Sequence, residues 1–161
     1  MSIVANAGPL IALSRIEYLY LLLALYDEVI VPPAVYREVT FDATRSGAGE
    51  IAQAAWIHQE TATDTIAVER LQYWLDDGES EAIVLAQSMQ LRLLIDERRG
   101  RTIAATLGVS CTGTIGVLLA AKQAGHIPTV TPLLDALQRA GVYLSSGLRG
   151  EVRRMSGESE E

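Results

Sequence analysis

Short apolar runs rich in β-branched residues recur along the chain, and longer stretches with helical spacing separate them. SIVA (2–5), EVIV (28–31), AWIH (55–58), RLLI (92–95) and GVSC (108–111) read as strands. Segments 15–25, 33–39, 65–75 and 79–89 carry apolar residues at the three- and four-residue spacing of a helix. Strand alternating with helix predicts an α/β domain with a mainly parallel sheet. Two of the runs have almost no polar residues, as strands covered on both faces require. Beyond Cys111 the pattern turns helical, over 114–123, 132–140 and 145–155, with Gly125 and Gly141 as stops for the first two. No repeat or linker divides the chain. Residues 1–156 are therefore expected to form one domain, and 157–161 (GESEE) a frayed tail.

Composition narrows the classes. A chain of 161 residues with 49% apolar content suits a single domain with a full core. The single cysteine, Cys111, excludes an intramolecular disulfide framework and fits a reducing compartment. His58 and His126 are too few and too far apart for a histidine-rich zinc site. The apolar run 18–26 falls short of the about 20 residues that span a bilayer, and no basic segment precedes an apolar one at the start. A soluble cytoplasmic protein is expected. The net charge of −7 speaks against coating nucleic acid by bulk electrostatics, yet not against a nuclease whose acids are offset by bound cations. Arginines gather at 98, 99 and 101 and again at 149, 153 and 154, either as anion sites or as solvated helix faces.

Open α/β sheets bind ligands beyond the carboxyl ends of their strands. Asn6 follows the first strand, Glu38 lies in the helix after the second, Asp96 and Glu97 follow the fourth, and Thr112 and Thr114 follow the fifth. The helix that feeds the fourth strand opens on DDGESE (76–81), four carboxylates in six positions. Acids at a helix start complement its dipole, and Asp76 with Glu79 has the spacing of a capping box. The competing reading is that one of them joins a cluster holding a divalent metal.

Taken together, these stretches resemble a PIN domain, the metal-dependent ribonuclease fold of many prokaryotic toxin–antitoxin toxins. IVANAGPLIAL is similar to that family's first strand, acidic turn and short helix, and VIVPPAVYREV to its second strand and glutamate-bearing helix. GESEAIVLA and LRLLIDERRGRTIAATLGV are similar to the acid-alanine helix and the next strand with its acidic end. A branch of the family adds TGTIGVLLAAK (112–122). The resemblance covers nearly the whole chain and rests on order and spacing. It implies a three-layer α/β/α sandwich of about five strands. It also implies Glu38, Glu81 and Asp96 as catalytic metal-holding acids, with Asn6 as a further ligand and Mg²⁺ or Mn²⁺ as the ion. These hard cations favour oxygen donors.

Glu79 is either a supporting group at that site or a complement to the helix dipole. Glu97 would assist Asp96. Arg98 or Arg99 either orients a phosphate or lies on the helix surface, and Thr114 either contacts the site or caps its helix. The resemblance further implies an RNA substrate and a small antitoxin partner. The apolar YLYLLLALY (18–26) suggests a homodimer, since a helix apolar on nearly all sides is buried by its own chain or by another. Asn6 departs from the family, most of whose active members have aspartate there. The amide keeps an oxygen ligand but brings no charge, and Ala7 and Gly8 replace the usual small hydroxyl residues.

Other chemistries fit less well. A haloacid-dehalogenase-like phosphatase needs D-x-D after the first strand, where this chain has ANAGP. No G-x-x-x-x-G-K or G-x-G-x-x-G follows a strand, and SGAGE (46–50) reads as a turn. Cys111 reads as a structural thiol rather than a nucleophile. The expectation is a metal-dependent ribonuclease. The alternative is a PIN-like binding module that keeps the fold with weak or no cleavage.

Overall fold

The computed structural model describes residues 1–42, 44–45 and 47–158. Five strands, β1 (Ser2–Ala5), β2 (Glu28–Val31), β3 (Ile57–Gln59), β4 (Arg92–Leu94) and β5 (Cys111–Thr112), form one sheet in the order β3-β2-β1-β4-β5. Every pairing is parallel, with Ile3 opposite Val29 on one side and Arg92 on the other. Parallel strands need crossover connections, usually helical, and ten helices are found among the described residues. They are α1 (Ala7–Arg15), α2 (Tyr20–Leu25), α3 (Pro33–Thr40), α4 (Ala48–Gln53), α5 (Thr65–Leu71), α6 (Asp77–Met89), α7 (Arg98–Thr106), α8 (Thr114–Gln123), α9 (Thr131–Arg139) and α10 (Ser146–Ser156).

The sheet is wholly parallel where the sequence suggested mainly so. Helix α6 packs on β1 and β4 with α3, α5 and α7 beside it, while α8 packs against α1, α2, α10 and β5. The result is the expected three-layer sandwich. Ile3, Val4 and Ala5 in the central strand are completely enclosed, which explains why that strand carries no charge.

Several elements differ from the sequence reading. The segment 15–25 is not one helix: α1 ends at Arg15 and α2 starts at Tyr20. Glu17 takes φ 65°, and Tyr18 N–H donates to Leu13 O at 2.9 Å, which closes α1 in a Schellman turn. Strand β3 begins two residues late because Ala54–Trp56 is the exit turn of α4. That helix starts directly after Gly47 (φ 89°), within the stretch read as a turn. Helix α7 has few apolar residues to reveal it. Its exit takes Gly108 (φ 75°) with Val109 N–H on Ala104 O, which delays β5 to Cys111. Gly125 and Gly141 do stop α8 and α9, at φ 82° and 95°. Of the tail expected at 157–161, Gly157 ends α10 and Glu158 is bonded back to the body. Residues 159–161 lie outside the described residues.

The topology locates the site. From β1 the chain builds outward through β2 and β3, then returns to lay β4 on the other side of β1. The strand order thus reverses between β1 and β4, and the crevice beyond their carboxyl ends is where such sheets take ligands.

Candidate functional site

Asn6 leaves β1 at this crevice and donates its backbone N–H to Leu94 O at 2.9 Å, tying it to β4. It occupies the N-cap of α1, a position at which Asn side chains bond a free amide, yet no such bond forms. The residue is only 7% exposed. Its Oδ1 faces Gly78 instead. A Cβ placed on Gly78 would lie 3.6 Å from Asn6 Oδ1 and 3.6 Å from Glu38 Oε2, with Val35 Cγ2 at 3.3 Å. The missing side chain of Gly78 therefore leaves a small cradle walled by a valine methyl, one amide oxygen and one carboxylate oxygen.

Helix α6 frames this cradle with acids. Asp76 caps it: Glu79 N–H donates to Asp76 Oδ1 at 2.7 Å, and Asp76 N–H reaches Glu79 Oε2 at 3.4 Å, completing the capping box. Burial raises the pKa of Glu38 above the ordinary carboxylate value, Asp76 raises it further, and Arg45 opposes them. Glu79 is also raised, first by burial and then by Asp76, with Glu97 and Glu38 adding repulsion against the bond from Asp76 N–H. Glu38, Asp76, Glu79 and Glu97 thus share one field. Glu81 stands three residues on from Gly78, the neighbouring position on the helix surface, about 160° around the axis from Glu79. It is half-buried, and its side chain makes no hydrogen bond or ion pair among the described residues.

Asp96 is held on the other flank. Thr114 N–H donates to its Oδ1 at 2.7 Å, and the Thr114 hydroxyl donates to its Oδ2 at 2.5 Å. Thr114 is thus the first residue of α8 and an anchor for Asp96, not the cap, which is Gly113. A Cβ on Gly113 would meet Asp96 Oδ1 at 2.6 Å and Arg101 Nη1 at 2.8 Å, so only glycine admits this approach. Glu97 caps α7, accepting from Gly100 N–H at 2.6 Å. Arg98 and Arg101 line a groove with Asp96 and Arg92, whereas Arg99 lies 5.9 Å from the Trp74 ring. Burial pushes the Cys111 thiol up against the pull of Arg101 and Arg92, and its Sγ donates to Val109 O at 3.7 Å, in keeping with a structural thiol.

A rim of oxygen donors at a doubly wound sheet's switch point can hold a hard cation or orient a phosphate. The PIN domain family matches residues 2–158. This chain belongs to that family. No curated protein and no solved structure matches it. PIN domains are generally nucleases that use divalent metal ions, so a nucleic-acid-directed hydrolase fold is what this chain carries. No helix among the described residues is long and apolar enough to cross a membrane.

The donor set suits such an ion in kind, being all oxygen, and the Gly78 cradle offers two donors a common opening. In position the acids are looser. Among the described residues no three His, Cys, Asp or Glu side chains stand close enough to hold an ion. The sequence alone does not single out Gly78 or Gly113, and it marks Arg101 only within a group of arginines. Asp76 is legible there as a cap and as one of four acids that could join a cluster, whereas a glycine that makes room for oxygens has no signature apart from the fold.

Proposed function

We propose that this PIN domain is a metal-dependent ribonuclease and the toxin of a toxin–antitoxin pair. The observation that carries the reading is the cradle at Gly78, where Asn6 Oδ1 and Glu38 Oε2 face one opening at the switch point. Asn6, Glu38, Glu81 and Asp96 are the residues that would hold Mg²⁺ or Mn²⁺, with Glu79 beside them. When bound, the ion supplies an acidified water and offsets charge at the scissile phosphate.

The chain's own groups do the rest. Thr114 fixes both oxygens of Asp96, so that carboxylate is pre-oriented before substrate arrives. Glu79, whose pKa is raised by burial and by the neighbouring carboxylates, is suited to take or return a proton near the reacting water. Arg98 and Arg101 offer a cationic wall beside Asp96 for the RNA backbone.

The decisive test is cleavage of single-stranded RNA with titrated Mg²⁺ or Mn²⁺, alongside calorimetric metal binding. Glu38→Gln, Glu81→Gln and Asp96→Asn should each abolish cleavage and weaken metal binding at least tenfold. Cleavage that survives all three would refute the reading. A second reading, a PIN-like binding module without cleavage, is favoured by the uncharged Asn6 and by the spacing of the acids. It predicts RNA binding with no metal-dependent turnover.

A further inference from the structure

The rim of the acid cluster carries aromatic surface that the reading above leaves unused. Trp74 is 61% exposed and Tyr73 is 86% exposed, both in the turn between α5 and α6. Large aromatics are normally hidden in a domain with an ample core. Trp74 precedes the α6 cap Asp76 by two residues, and its ring faces the guanidinium of Arg99 at 5.9 Å. Arg99 follows the α7 cap Glu97 by two residues. The pair therefore bridges the two helix starts whose acids crowd around Glu79. It makes only a loose contact: a guanidinium stacked in van der Waals contact would be closer. On the Asp96 side of the same helix, Arg92, Arg98 and Arg101 line a groove along the β5 edge, on a chain of net charge −7. Concentrating arginine in one groove of an acidic protein creates a local track for a polyanion.

An open aromatic face and a cationic track on two sides of one helix start can together bind unpaired nucleic acid, as bases stack while phosphates follow the charge. We propose that Trp74 and Arg99 form a stacking subsite for an unpaired base of single-stranded RNA, whose backbone runs into the Arg98–Arg101 groove past Asp96. This rests on the ribonuclease reading for its substrate. It adds the place at which that RNA must be unpaired, because a base already stacked within a duplex cannot offer its face to Trp74.

The test uses the full chain carrying Trp56→Phe. Trp56 precedes β3, at the opposite end of the strands from the acids, so this change leaves Trp74 as the only tryptophan. A ten-nucleotide single-stranded RNA is titrated in EDTA, which prevents metal-dependent cleavage, while Trp74 emission is followed. Quenching is expected with the single strand and not with a blunt duplex of the same sequence. Trp74→Ala should weaken binding about tenfold and Trp74→Phe far less, in line with the worth of one base–aromatic stack. With Mg²⁺ present, Trp74→Ala should raise KM by a similar factor and leave kcat unchanged. Unchanged emission together with unchanged affinity in Trp74→Ala overturns the subsite even if RNA is cleaved. Equal quenching by the duplex also overturns it. Trp74-dependent binding without cleavage under any metal supports the subsite and removes the ribonuclease reading instead.

Discussion

Asn6 is a capping residue that does not cap. Its side chain forgoes a bond worth about 1 kcal/mol at the start of α1 and turns its oxygen toward Gly78, where Glu38 Oε2 also reaches. Cation affinity depends on ligand charge as well as geometry, so the amide costs the site attraction that a carboxylate would supply. Asn6→Asp should therefore tighten Mn²⁺ binding and raise RNA cleavage at low metal concentration, as calorimetry and a metal titration of the rate would measure. The same change should lower the metal-free melting temperature, because a new charge would join the field around Glu38. Unchanged metal dependence would place Asn6 outside the coordination sphere. Gly113 makes the complementary case. A methyl there falls 2.6 Å from Asp96 Oδ1, which Thr114 holds from the other side. Gly113→Ala should destabilise the fold by about 1–3 kcal/mol, the usual cost of overpacking, and cut metal affinity. Denaturant unfolding and metal titration would measure the two effects.

At the scale of elements, two helices end on residues poorly suited to their backbone. Glu17 and Gln90 occupy the left-handed region at φ 65° and 55°, closing α1 and α6, where glycine is the usual choice. Glu17→Gly and Gln90→Gly should each stabilise the fold by about 1 kcal/mol by removing that strain, additively given their separation. A lower melting temperature in either would mean the side chain has another role. The end of the chain behaves differently. Glu158 accepts from the amides of Val130 and Thr131 at the start of α9 and from Lys122 Nζ at 2.9 Å. Burial alone would raise its pKa, and these donors more than reverse that, leaving it well below the ordinary 4.5. A lowered folded value means that the stabilisation is present above the unfolded value and lost as pH falls toward the folded one. The stability gap between wild type and Glu158→Gln should be about 1–2 kcal/mol at pH 7 and shrink steadily below pH 4.5. A gap independent of pH would exclude the ionic role.

These elements also mark what the sequence could convey. Strand β1 was legible because burial on both faces leaves a run without charge, and α8 because its apolar spacing starts and stops within its own length. Helix α7 was not, since RRGRTIAAT packs a narrow face and hides the 3.6-residue period. The order of acids along the chain identified the strand-end rim. Whether Glu79 or Glu81 shares the field of Glu38 depends on the rotation of α6 about its axis, and no spacing encodes that. The Gly78 cradle needs three elements to meet before it exists.

For the whole molecule, the question raised by YLYLLLALY is now sharper. Leu21 and Leu22 are fully buried, but Tyr20 is 50% exposed and Leu23 48% exposed on the outer face of α2. We propose that a second copy covers Tyr20 and Leu23, giving a homodimer through α2. Light scattering at micromolar concentration should give twice the monomer mass, and Leu23→Glu should give the monomer with the fold intact. A wild-type monomer would reject this assembly.

The sheet order also bears on how the chain reaches its native state. The strand made first lies at the centre, and only its β2 edge can be satisfied early. Ile3 must wait for Arg92 to emerge before its second edge is closed. Until then a run of completely apolar residues has one open side, and pairing across so long a loop is slow. During synthesis α6 is made just before β4 and packs on β1, so it covers a face of that strand but does not close its edge. That edge therefore stays open until β4 pairs, and the nascent chain is expected to be most prone to pairing with another chain in that interval.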